Sequence, residues 1–339
     1  MDQRKIMSLG RSSLVISLPK HWTNLNELKR GDVVSLAIQR DRSLAIFPGT
    51  GTKKHPKEIT IHIDPNEKAN RIKRNIIACY LNGYSSIKLF STDIFPVFQQ
   101  KAIRNIVQIL YLRIMRCDAK SIHIVTLMDE TQASVTSGIQ RMHIISSSLI
   151  EDVLSALETQ DPLLAKTAYQ LEDDVDHFSY LMLRLLRRAA LEPAVANQLN
   201  IAINDCLDYQ SLVYRIEQVA DNASNIAKHV VLLREQKLSI SEPLIELMMS
   251  AGNDAHRFYN QAVDAFFSND ADTAEEIIEQ GKRVEKSDQE IATWAFLHEK
   301  KNPIIICATC SIREGIKRIA EYGREIALYT IHRSFKTKK

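Results

Sequence analysis

The sequence predicts a multi-domain α+β chain: a small N-terminal β domain, a small α/β connector, and a long all-α C-terminal region. Three observations carry this. Residues 3–48 break into short β-prone runs punctuated by Gly and Pro. Residues 58–128 alternate strand-like runs with segments of helical apolar spacing. From Glu130 onward the apolar positions keep helical spacing, and two stretches match others about one hundred residues downstream.

In the N-terminal domain, residues 3–8 and 14–18 read as strands around the turn Leu9-Gly10-Arg11-Ser12. Pro19 suits a first helical turn, so a short helix is expected to about Leu28. Gly31-Asp32 is a turn, and Val33–Ile38 with Ser43–Phe47 make a hairpin across Gln39–Arg42. Four strands in under fifty residues bury too little apolar surface alone, and an interleaved dimer would solve this. Residues 1–50 hold eight Lys or Arg against four Asp or Glu. Residues 49–57 are a linker by composition.

The connector should be a βαβαββ layer: a strand at 58–63, a helix at 66–82 closed by Asn82-Gly83, and a strand at 86–90. A helix at 96–110 and a strand pair, 111–115 with 121–127, complete it. Lys68, Arg71, Lys73 and Arg74 make its first helix basic, which reads as a solvated face, and no chemistry is read in this layer.

The helical region should hold helices at about 131–158, 161–190, 194–234, 241–268, 270–300 and 303–332, with residues 333–339 a basic tail. Asp161-Pro162 and Glu242-Pro243 are helix starts, while Pro193 and Pro303 separate helices. Ala220–Ala227 aligns with Ala320–Ala327, and Ala156–Val175 with Ala265–Val284. Two three-helix units follow, about 130–234 and 241–332.

Two polar columns stand on these helices. Glu172 and Asp176 lie i and i+4 beside the apolar stripe 164, 168, 171, 175, 178. Glu217, Asp221 and Asn225 repeat the spacing farther on, with Asp221, Asn222 and Asn225 in mid-helix despite their poor helix propensity. Carboxylates that close repel one another, so either bound cations or Arg184, Arg187 or Arg215 must offset them. Fe, Zn or Mg would serve, and oxygen donors alone do not decide among them. A weaker second set is Glu285, Asp288, Glu321 and Glu325, whose carboxylates Arg318 and Arg324 nearby could neutralise in place of a metal.

These motifs resemble known families. The E-x-x-x-D and E-x-x-x-D-x-x-x-N columns, with Arg215, Ile216, Glu217, Asp221, Asn225 and Ile226, resemble the PhoU family of phosphate-uptake regulators over roughly residues 130–332. That resemblance implies paired three-helix bundles holding multinuclear metal clusters. S-L-G-R-S-S-L-V-I-S-L-P-K-x-W followed by G-D-x-V-x-L is similar to the AbrB/SpoVT/MazE swapped-hairpin DNA-binding domain over residues 3–48. It implies a homodimer through this domain and DNA contacts from Arg4, Arg11 and Lys20. The joined architecture resembles archaeal phosphate-uptake regulators.

Composition bounds the rest. The 339 residues are 25% charged and 45% hydrophobic, ordinary for a soluble chain, and a net charge of +3 implies no partner. No 18-residue apolar run or secretory leader is read, and five scattered cysteines suit a reducing cytoplasm. Cys307 and Cys310 are expected as buried small hydrophobes. Nucleotide-cradling glycine motifs, G-x-S-x-G and H-E-x-x-H are missing, as are the paired E-x-x-H motifs of dinuclear enzymes. The expectation is a cytoplasmic, non-enzymatic regulator of phosphate uptake that binds DNA. Its rivals are an adaptor restraining a phosphate transporter or its ATPase, and a metal-dependent hydrolase built on the acidic columns.

Overall fold

The computed structural model describes residues 3–38, 43–49, 57–127, 133–299 and 302–335. The expected turn 39–42, the core of the linker and most of the basic tail lie outside them. The chain divides into two units, Met1–His55 and Pro56–Lys339.

In the first unit, β1 (Met7–Leu9) pairs antiparallel with β2 (Ser13–Val15), and Gly10 in the turn takes φ of 71°. The strands are shorter than expected, because residues 3–6 and 16–18 find no ladder partner among the described residues. Helix α1 (Lys20–Leu25) stops three residues before Leu28, with Glu27 left-handed at φ 53°. Strands β3 (Val34–Ile38) and β4 (Leu44–Pro48) form the second hairpin. No described residue of this unit is buried: Ile6 is 69%, Leu14 73% and Ile38 77% exposed.

The second unit opens with β5 (Glu58–His62), α2 (Ala69–Leu81), β6 (Ser86–Phe90), α3 (Val97–Ile109), β7 (Leu112–Cys117) and β8 (Ser121–Thr126). The sheet order is β5-β6-β8-β7, with β5 and β6 parallel as a helical crossover requires and the other pairs antiparallel. Ile72, Ile76, Ile87, Ile103 and Ile124 form its core.

The helical region runs α4 (Val135–Thr159), α5 (Pro162–Ala168), α6 (Leu171–Leu191), α7 (Pro193–Gln198) and α8 (Ile203–Glu235). It continues with α9 (Glu242–Ser268), α10 (Ala271–Gln280), α11 (Lys282–His298) and α12 (Pro303–Ser334). Three helices expected as continuous are divided. At Tyr169-Gln170 and at Gly281 the backbone stays right-handed but its bonds contract to i→i−3, as in Glu172 N–H to Tyr169 C=O and Val284 N–H to Gly281 C=O. Between α7 and α8, Asn200 turns left-handed at φ 57°, a conformation Asn tolerates better than most residues. Apolar spacing does not register such joints.

The same corner occurs twice. Gln160 and Asn269 end α4 and α9 left-handed, and the next residues, Asp161 and Asp270, cap α5 and α10 through side-chain acceptance of backbone N–H groups. Helices α4, α6 and α8 pack mutually, as do α9, α11 and α12, while α4–α9 and α8–α12 contacts join the sets in one core. Cys307 and Cys310 prove exposed, because Ile305, Ala308 and Ile312 take the buried stripe of α12.

Helix α6 also holds the connector. Buried Arg184 donates to the carbonyls of Tyr80 and Tyr84 at the end of α2, and stands 4.6 Å over the Tyr80 ring. His177 bonds the Ile109 carbonyl through Nδ1 at 2.8 Å. Arg184→Met keeps the stem and removes the guanidinium, so the variant should lose about 2–3 kcal/mol in denaturant unfolding. A midpoint equal to wild type would show that the clamp adds nothing.

Candidate metal centre

Buried Val175 on α6 and Ile216 on α8 turn both stripes inward and leave the polar columns facing each other along the seam. Pairings run in opposite directions: Glu172 meets Ser224 and Lys228, whereas Asp176 meets Glu217 and Asp221. The helices are therefore antiparallel here. One carboxylate oxygen from each of Asp176, Glu217 and Asp221 lies within 4.8 Å of the others.

Burial leaves these charges poorly hydrated. Asp176 and Glu217 are half-buried, and desolvation, then the neighbouring carboxylates, pushes each up to about 7. The Asp221 carboxyl, on an exposed residue at the rim, is raised by desolvation and by Glu172, with Lys228 pulling the other way. Glu172 accepts a short hydrogen bond from Ser224 Oγ and lies 3.4 Å from Lys228 Nζ. Asn225, expected in the set, is exposed and stands outside the convergent trio.

The arginines named as alternative neutralisers are not there. Arg184 serves the connector, Arg187 is exposed and joins no salt bridge among the described residues, and Arg215 pairs with Glu325 across to α12. Among the described residues no Lys or Arg forms a salt bridge with Asp176, Glu217 or Asp221. Three clustered oxygen donors that no Lys or Arg salt-bridges among the described residues are the donor set a hard metal ion takes, so the residues fit Fe, Zn or Mg.

The weaker set behaves differently. Glu285 pairs with Arg324 at 3.1 Å, Asp288 with Arg313 at 3.3 Å, Glu321 with Arg318 at 2.8 Å, and Glu325 with Arg215. Among the described residues these four do not converge as a donor cluster. Arginines fill the place of a cation.

Sequence reasoning missed two neighbours of the centre. Ser224 is buried beside Glu172, and the Tyr180 hydroxyl has its pKa raised by burial and then by Asp176, Glu217 and Asp221. Tyr180 continues the 172, 176 spacing by four, so a signal for it existed. Arg4, Arg11 and Lys20 belong to the first unit and are all exposed, Arg11 in the β1–β2 turn and Lys20 at the start of α1.

Comparisons with known proteins fall on this region. A family model for the PhoU domain matches residues 139–230, which span both acidic columns. The phosphate-specific transport system accessory protein PhoU homolog of Pseudomonas aeruginosa is 23% identical over 222 residues, covering 63% of this chain and 88% of that protein. The crystal structure of PhoU from Pseudomonas aeruginosa superposes with a TM-score of 0.51 at 20% identity, over 58% of this chain and 94% of that one. This likeness establishes a PhoU-like helical fold.

Proposed function

We propose that the chain regulates phosphate uptake, as an archaeal-type regulator whose helical region senses or relays phosphate status to an N-terminal, AbrB-like DNA-binding dimer. The observation that carries this is the trio Asp176, Glu217 and Asp221, which among the described residues has no Lys or Arg salt bridge and is set within the segment that matches the PhoU domain. On this reading the trio, with Glu172 at its edge, holds Fe, Zn or Mg, and a bound metal would offer phosphate or a partner's oxygens an electropositive ligand site. The protein's own part is to fix the oxygens between two helices and to keep arginines away from them.

The uncovered apolar faces of β1–β4 support dimerisation, because two copies interleaving their hairpins would bury what one leaves exposed. Exposed Arg4, Arg11 and Lys20 then supply phosphate contacts. Among the described residues no helix is long and apolar enough to cross a membrane. A place in the cytoplasm, and regulation rather than catalysis, complete the reading. The accessory role in the relative's name favours one second reading, an adaptor that restrains a transporter or its ATPase while the first unit only dimerises.

Chromatin capture of the bound DNA, beside sedimentation of the full chain, separates the two. The regulator reading expects a dimer enriched at promoters of uptake genes. Arg11→Ala should keep the dimer and reduce the salt slope of DNA binding by about 0.9, one phosphate contact. A dimer that captures no DNA leaves the adaptor, and a monomer removes the interleaved domain from both.

A further inference from the structure

The connector meets α6 around a crevice of about 860 Å³, a volume within the range of small-molecule sites. Arg104 of α3 and Arg113 of β7 line it from the connector, and Asp173 and Asp174 line it from α6. The two cations and two anions share one crevice, yet among the described residues no salt bridge or hydrogen bond joins them to each other or to other side chains. Such separated opposite charges fit a ligand that itself carries an anionic end and hydrogen-bond donors.

An aromatic side chain lines the same crevice. Tyr111 is 58% exposed and left-handed at φ 50°, just after α3, where Gly or Asn is the usual residue. Strain of that kind at an exposed aromatic points to a use for the ring. One side of the ring is backed by His177, with centroids 3.5 Å apart, and His177 is itself fixed by its bond to the Ile109 carbonyl. The exposed part of the Tyr111 ring leaves room for a planar ligand, and stacking of a base on an aromatic ring tolerates every base.

We propose that this crevice binds a nucleotide, its base stacked on Tyr111, its phosphates bonded to Arg104 and Arg113, and its ribose hydroxyls donating to Asp173 and Asp174. The site uses side chains and no glycine-rich loop, so the sequence offers no motif for it. It shares one turn of α6 with Asp176, which places the ligand beside the acidic cluster. The proposal goes beyond the phosphate-uptake reading and does not depend on it.

Calorimetric titration of the full chain with AMP, ATP, GTP and UTP, with adenosine and orthophosphate as separate probes, tests this. Chelator in every cell keeps metal bridging at the acidic cluster out of the measurement. Saturable binding of a nucleotide is expected, with adenosine and orthophosphate each at least about tenfold weaker. Arg104→Ala and Arg113→Ala are surface changes that should each weaken binding about tenfold. Tyr111→Asn keeps a residue suited to the left-handed backbone and removes the ring, with the same expectation, and melting curves report whether it folds. No saturable binding at millimolar nucleotide would overturn the proposal. So would orthophosphate binding as tightly as any nucleotide, or nucleotide affinity unchanged in both arginine variants. Metal content of the acidic cluster is a separate measurement, so failure here leaves the metal reading standing.

Discussion

Returning Fe, Zn or Mg to chelator-stripped protein is expected to raise its Tm by roughly 5–10 °C. A ligand that binds only the native state stabilises it by about 2.7 kcal/mol at one hundred times its Kd, and each kcal/mol shifts Tm by about 2–4 °C in a body of this size. Three carboxylate oxygens within 4.8 Å should supply that affinity, because among the described residues no arginine pairs with them. Asp176→Asn with Asp221→Asn leaves one strong donor of the trio and should abolish both the added stability and the metal found by elemental analysis. Glu285→Gln is the matched control: it removes a carboxylate paired with Arg324 and should leave metal content unchanged. Protein purified without chelator or histidine tag that contains no metal, and melts identically with and without these ions, would exclude the centre.

What the sequence revealed of this site depended on period. Glu172, Asp176, Glu217 and Asp221 were legible because spacing by four places side chains on one helix flank and mid-helix Asp and Asn need a reason to be there. The mutual α+β order and the positions of most strands and long helices were legible for the same reason. Asn225 fits the spacing equally well and still falls outside the trio, since spacing sets direction along a helix and leaves depth in the seam undetermined. The second set was legible in part, since Arg324 and Arg318, both named from the sequence, pair with Glu285 and Glu321. Its carboxylates have similar spacing, but the deciding partners Arg313 and Arg215 come from other helices, which no local pattern reveals. Joints at Tyr169-Gln170 and Gly281 were invisible because the chain stays right-handed through them and only the hydrogen bonds shorten their reach. The crevice beside Tyr111 depends on contact between α3 and α6, elements whose residues Ile109 and His177 are far apart in sequence.

The metal-free protein should become less stable as pH rises from 5 to 7.5. In the unfolded chain Asp and Glu titrate at about 3.9 and 4.3. In the folded chain desolvation and mutual repulsion hold Asp176 and Glu217 at about 7. Between those values the native state binds more protons than the unfolded state, so the linkage slope is negative. The stability tied to the protonated pair is complete below about pH 4 and lost as pH passes through 7. Screening at the half-open seam and the coupling of the two groups reduce the effect to roughly 3 kcal/mol for the pair. Other groups also titrate across this range, so the informative quantity is the difference between wild type and Asp176→Asn with Glu217→Gln, both in chelator. That difference should be smallest near pH 4, where the pair is largely protonated in the native state and only beginning to ionise in the unfolded one, and should move steadily in favour of the variant up to pH 7.5. Parallel stability curves for the two proteins would mean that the carboxylates are not held above their ordinary range. Added metal should reverse the order at pH 7.5, since a cation stabilises the ionised pair that protons otherwise neutralise and the variant cannot use it.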